Sequence, residues 1–143
     1  MCSSDLVVPR RDLVVSAELV RRARDVQKNA YCPYSKFRVG AALEAADGRV
    51  FVGANVESAS YGLTICAERM AIGAAIADGA RGFSRIVVAT DVDPPASPCG
   101  ACRQLLAEFG LDLQVIAVGP KTERRWVLRD LLPDAFAKAT LTK

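Results

Sequence analysis

Histidine is absent from this 143-residue chain, and that excludes more chemistry than any other feature of its composition. Without imidazole there is no Ser-His-Asp triad, no Cys-His nucleophile pair and no His-ligated zinc. Any proton shuttle must use another residue type. Long apolar runs are missing as well. None approaches the ~18 residues that a membrane helix needs. The opening residues Met1-Cys2-Ser3-Ser4-Asp5 have neither the basic start nor the apolar core of a secretory signal. The five cysteines are an odd number and do not read as a disulfide framework. The expectation is a cytoplasmic protein whose thiols bind metal, take part in catalysis or are inert. Neither sign of charge is in large excess. The 19 Lys and Arg face 16 Asp and Glu, a net of +3, and aromatic residues make up only 6%. That is a poor endowment for a nucleic-acid groove, which wants a basic track with interleaved aromatics.

What is present reads as one globular domain. Hydrophobic residues are 51% and charged residues 24%, enough to build a core without covalent staples. Residues 1–15 show no clean period, and Pro9-Arg10-Arg11 interrupts them. They are expected to be an N-terminal arm, mobile or docked on a partner subunit, with a single domain over 16–143. Helical spacing runs from Ser16, a candidate N-cap, through Leu19, Val20, Ala23 and Val26 towards Tyr31, and Pro33 stops it. Asp47-Gly48 between β-rich runs 38–46 and 49–54 is a hairpin signal. A helix apolar nearly all round is expected over 65–79, lying buried on a sheet face. A buried strand follows at 85–90, then a Pro94-Pro95 loop, a helix over 100–109 closed by Gly110, and a buried strand at 113–118. Residues 127–132 and 135–139 read as short terminal helices around Pro133. Two helix–strand alternations after a hairpin imply an α/β fold, a mixed sheet with helices on both faces.

Chemistry concentrates in two blocks, Cys66-Ala67-Glu68-Arg69 and Pro98-Cys99-Gly100-Ala101-Cys102-Arg103. Each falls at the start of an expected helix, where unpaired N–H groups and the helix dipole favour a thiolate. Cys99 and Cys102 share one helical face, and Cys66 must then arrive from the other helix as a third metal ligand. A metal lying beyond a helix end can be reached by Cys66 and approached by the longer Glu68. Three protein ligands leave a fourth tetrahedral position open, as in a catalytic rather than a structural zinc site. Three thiolates and Zn²⁺ sum to −1, and Arg69, one turn from Cys66, is placed to offset that charge. Two plainer readings stand beside this one. Cys99 and Cys102 could be a redox pair, or Cys32 could close a four-cysteine structural site. Against the second, Cys32 sits in a loop before Pro33, and nothing in a structural site needs Glu68. Cys2 and Cys32 read as bystanders.

Taken together, these residues resemble the zinc cytidine deaminases of the short, homotetrameric type, in the variant whose first zinc ligand is Cys. The likeness extends to Cys32-Pro33-Tyr34-Ser35 with Phe37, Val39 and Gly40, to Gly53-Ala54-Asn55-Val56-Glu57-Ser58-Ala59-Ser60-Tyr61, and to Leu131-Leu132-Pro133 with Phe136. It implies a three-layer α/β/α fold on a mixed five-stranded sheet, one zinc per chain and a homotetramer. It further implies that Glu68 shuttles protons and Phe37 stacks on the pyrimidine. Asn55 and Glu57 would hold the ribose hydroxyls, and the backbones of Cys66 and Ala67 would meet the base edge. Tyr61 and Phe136 would reach a site across a subunit interface. The implied substrate is a free nucleoside, cytidine or 2′-deoxycytidine, converted to uridine or deoxyuridine and ammonia in pyrimidine salvage, with no nucleic-acid or membrane partner. Rival substrates within such a fold are a free base, a nucleotide or a nucleoside antibiotic. The Arg124-Arg125-Trp126 cluster reads as a solvated strand-end charge run.

Overall fold

The computed structural model describes residues 10–141, apart from the side chains of 11, 12 and 15. A five-stranded mixed sheet has the order β2-β1-β3-β4-β5. Its strands are β1 (Gly40–Ala45), β2 (Val50–Ala54), β3 (Phe83–Ala89), β4 (Gln114–Val118) and β5 (Glu123–Val127). β1 pairs antiparallel with β2 and with β3, β3 runs parallel to β4, and β4 is antiparallel to β5. Asp47-Gly48 does form the β1–β2 turn, with Gly48 at φ 93°, a conformation that costs glycine little. Helix α1 (Arg10–Gln27) covers one face of the sheet. Helices α2 (Ala67–Ala77), α3 (Gly100–Ala107) and the single turn α4 (Leu128–Leu131) cover the other, and α5 (Lys138–Leu141) follows.

Strand alternation divides the core in two. Ala42, Val87, Ala89 and Ile116 point towards Leu19 and Ala23 of α1. Ala41, Leu43, Ile86, Val88 and Val115 point the other way, towards Ala71, Ile72 and Ala75 of α2 and Leu106 of α3. The second cluster matters for function because it fixes where α2 and α3 begin. Gly53 shows how tightly. A Cβ there would lie 2.5 Å from both the Ala67 carbonyl and the Ala71 nitrogen, so β2 and the first turn of α2 touch backbone to backbone.

Several expectations need correction. The expected arm over 1–15 is split: residues 1–9 lie outside the described residues, and Arg10 to Val15 form the first turns of α1. Ser16 is therefore not an N-cap. It is buried at 2% on the same face as Leu19 and Ala23, and its hydroxyl has no partner among the described residues. A serine in the apolar stripe hid the period. The helix also stops at Gln27, short of Tyr31, and a turn leads on to Cys32. Strand β5 was not expected from the residue pattern. It contains the Arg124-Arg125-Trp126 cluster, with the Arg124 guanidinium 4.6 Å over the indole of Trp126, and charged residues on an outer strand gave no apolar signal. Helix α2 lies on a sheet face as expected, but it spans Ala67–Ala77 and one side of it is open. Met70, Gly73, Ala74 and Ala77 are exposed, while Ala67, Glu68, Ala71, Ile72 and Ala75 are covered. No helix among the described residues is long and apolar enough to cross a membrane.

Candidate active site

Cys66 is the N-cap of α2 and Cys99 the N-cap of α3, and neither uses its side chain to cap its helix. Both thiols are thus free to face outward from two helix ends, where dipoles favour negative charge. Cys102 lies one turn into α3 and is fully buried. The three sulfurs lie within 4.8 Å of one another. Cys66 Sγ is 3.8 Å from Cys99 Sγ, and Cys99 Sγ is 3.5 Å from Cys102 Sγ. A tetrahedral zinc with bonds of about 2.3 Å to sulfur requires ligand separations of about 3.8 Å, so the donor set and its spacing fit zinc. Cys32 is buried elsewhere and is not part of this cluster. The four-cysteine arrangement does not form among the described residues, and Cys2 lies outside them.

Charge balance comes from Arg69. Its Nη2 reaches Cys66 Sγ at 3.8 Å and the Thr64 carbonyl at 3.2 Å. The Cys66 thiol is lowered to about 5, first by its hydrogen bond with Cys102 and also by Arg69. Cys102 is pushed the opposite way by the same sulfur contact and by burial. Within the cluster the thiolate is thus favoured on Cys66, beside the Arg69 guanidinium.

A cavity of about 180 Å³ opens beside the sulfurs, with Cys66, Ala67, Glu68, Cys99, Phe37 and Asn55 on its walls. Glu68 is only 4% exposed. Burial pushes its carboxyl above the usual carboxylate range, and the Cys66 thiolate adds to the effect. The Asn55 side chain is fixed by backbone on both sides. Its Oδ1 accepts from Val39 N–H at 2.9 Å, and its Nδ2 donates to the Phe37 carbonyl at 2.8 Å. One N–H and one lone pair remain for a ligand.

Glu57 and Tyr61 do not line that cavity. They line a larger one of about 420 Å³ next to it, with Tyr34 and Ser35, and Thr64 belongs to both. Glu57 accepts from Tyr34 N–H at 3.0 Å, Ser35 N–H at 3.1 Å and the Ser35 hydroxyl. The Ser35 hydroxyl is the first cause holding its carboxyl below the usual range. These bonds also close a turn in which Lys36 takes φ 61°, a costly value for a non-glycine residue. Since Phe37 follows directly, Glu57 organises the segment that presents the Phe37 ring. Tyr61 is 77% exposed and meets Tyr34 edge-on. Phe136 is exposed and lines neither cavity of its own chain. Its carbonyl accepts from Gln104 Nε2 on α3.

Sequence reading missed several residues that shape the site. Thr64 joins the two cavities, its hydroxyl accepting from Ser58 N–H and its carbonyl from Arg69. Ser97 and Thr90 line the smaller cavity. Arg103 braces the loop before Cys99. Arg103 lies in the second cysteine block, but its role, like those of Thr64, Ser97 and Thr90, depends on how the loops fold around the cavity rather than on a spacing motif.

Known proteins resemble this chain in sequence and in fold. Residues 15–118 match the family model for the cytidine and deoxycytidylate deaminase zinc-binding region. A cytidine deaminase of Halalkalibacterium halodurans is 52% identical over 120 residues, covering 82% of this chain and 91% of the relative. A probable cytidine deaminase of Dictyostelium discoideum is 48% identical over 121 residues, covering 83% and 82%. The crystal structure of a cytidine deaminase from Burkholderia pseudomallei superposes with a TM-score of 0.81 at 47% identity, over 84% of this chain and 98% of that one. With a mixed five-stranded sheet, a three-thiol cluster at two helix starts and these relatives, the chain belongs to the zinc-binding cytidine and deoxycytidylate deaminase family.

Proposed function

We propose that this protein catalyses the zinc-dependent hydrolytic deamination of cytidine and 2′-deoxycytidine to uridine and deoxyuridine, releasing ammonia. The observation that carries the reading is the buried Glu68 carboxyl in the same small cavity as Cys66 and Cys99, two members of a three-thiol cluster at zinc-ligand spacing. Cys66, Cys99 and Cys102 hold one zinc ion per chain, and Arg69 offsets the charge of the thiolates. When bound, the ion supplies Lewis-acid activation of water at neutral pH. Glu68 is the proton carrier. It takes a proton from the attacking water and delivers it to N3 of the pyrimidine. It then takes the proton of the new C4 hydroxyl and passes it to the amine as the C4–N bond breaks and the C4 carbonyl forms. Cytidine and water thus become uridine and ammonia, with Glu68 returned to its starting state. A carboxyl whose burial favours the protonated form suits that cycle better than one in open water.

Phe37 stacks on the base, and the backbones of Cys66 and Ala67 read its polar edge. Asn55 and Glu57 take the ribose hydroxyls, and the ionised Glu57 disfavours a 5′-phosphate nearby, which points to nucleosides over nucleotides. The assembly is a homotetramer. Two features support it: the exposed apolar face of α2 with Met70, Gly73 and Ala74, and the exposed rings of Tyr61 and Phe136. We place the reaction in the cytoplasm, in pyrimidine salvage, where reduced thiols persist. The test is uridine formation from cytidine by zinc-loaded protein, with a chelator control and the 5′-monophosphates in parallel. Turnover of nucleotides in preference to nucleosides would overturn the substrate assignment.

A further inference from the structure

The chain from Thr90 to Cys99 is irregular and contains three prolines, Pro94, Pro95 and Pro98, which offer no N–H to anchor it. Yet its last residue must place a sulfur to within a few tenths of an ångström. Asp93 ties the middle of this segment to Lys121 and Thr122, and the side chain that braces the stretch next to Cys99 is Arg103, one turn into α3. Its three nitrogens reach three separate acceptors. Nε donates to the Pro98 carbonyl at 2.7 Å, Nη2 to the Ser97 hydroxyl at 2.8 Å, and Nη1 to the Leu131 carbonyl at 2.8 Å. Ser97 and Pro98 are the two residues directly before Cys99, and Pro98 is fully buried. Leu131 is the last residue of α4. A planar guanidinium fixes the directions of these bonds as well as their lengths.

We propose that Arg103 is a positioning residue for the metal. It braces the backbone before Cys99 against the end of α4, and so sets how long zinc stays bound. Arg69 touches a ligand sulfur directly. Arg103 instead acts on Cys99 through main chain. The inference rests on the three-cysteine zinc site and not on the identity of the substrate, so failure of the cytidine reading leaves it standing.

The test follows zinc transfer from the loaded protein to an excess of a chromogenic chelator. Arg103→Met releases zinc about 10- to 100-fold faster than wild type, the range for outer partners of metal ligands. Arg103→Lys stays close to Arg103→Met, because one ammonium cannot bridge three acceptors arranged around a plane. Ser97→Ala removes only one of the three bonds and releases zinc about two- to tenfold faster, which keeps the test open if the Met variant folds poorly. Amide exchange in β1 and β3 stays as protected as in wild type. Wild-type release rates in the folded variants would overturn the proposal. So would faster release accompanied by loss of protection across the whole sheet, since Arg103 would then be serving stability alone.

Discussion

Glu68 and Glu57 are carboxylates in adjoining cavities joined at Thr64, yet their surroundings push them in opposite directions. Glu68 is enclosed beside a cluster of thiols, and burial raises its carboxyl. Glu57 stands where solvent reaches it, accepts three hydrogen bonds from Tyr34 and Ser35, and is held ionised. Side-chain type therefore says little about role here. The enclosed group is suited to carrying a proton. The open, hydrogen-bonded group is suited to remaining an anion that accepts hydrogen bonds. The two carboxylates also stand apart in space, Glu68 in the smaller cavity and Glu57 in the larger.

The largest expected effect removes what Glu68 works beside. Cys99→Ala loses zinc and its turnover while the Glu57 cavity keeps its walls; metal content by mass spectrometry and uridine formation measure both. Glu68→Gln comes next. It retains full zinc and fold and loses about 10²- to 10⁴-fold in kcat, the range for general acid–base groups. A variant that loses its zinc instead would make Glu68 a ligand and dissolve the contrast. Glu57→Gln acts on the other side of the comparison. It keeps zinc and lowers kcat/KM for cytidine roughly 10- to 100-fold, for a charged hydrogen bond to the ligand lost at about 1–3 kcal/mol, and it narrows the preference for cytidine over free cytosine. An unchanged preference would leave Glu57 only its turn-closing role.

Ser35→Ala sharpens the contrast with the smallest change. It removes one donor to Glu57 and raises KM about two- to tenfold at neutral pH. Its pH dependence has a definite sign. Glu57 is held below the usual carboxylate range, so nucleoside affinity persists into mild acid and falls only as pH drops through that lowered pKa. Losing the Ser35 hydroxyl moves the pKa up, and the acid limb of KM against pH moves up with it. A limb that stays in place would show that Ser35 does not tune Glu57.

Much of the site was legible because its residues are local. Cys66 with Glu68 and Arg69, and Cys99 with Cys102, each sit within one helical turn, and helix starts can be read from sequence. The same holds for the Asp47-Gly48 hairpin and for the continuous apolar strands β3 and β4. Elements that depend on distant partners were harder to see. Strand β5 is marked by its pairing with β4 rather than by its charged residues. The start of α1 was obscured by Ser16 in the buried stripe and by Val14 and Val15, which are poor helix formers.

By itself the sequence determined the ligand chemistry. With no histidine, zinc had only thiolates and carboxylates to bind, and two helix starts carried three cysteines and one glutamate. Only the tertiary structure decided that the two helix starts meet. The close contact of Gly53 with the first turn of α2 and the packing of α2 and α3 on one face of the sheet bring Cys66 to within 3.8 Å of Cys99, although they are 33 residues apart. It also decided that Glu68 is enclosed and Glu57 is not. Burial is set by what packs around a side chain, and the cavity beside Glu68 is walled by residues as far apart in the chain as Phe37 and Cys99.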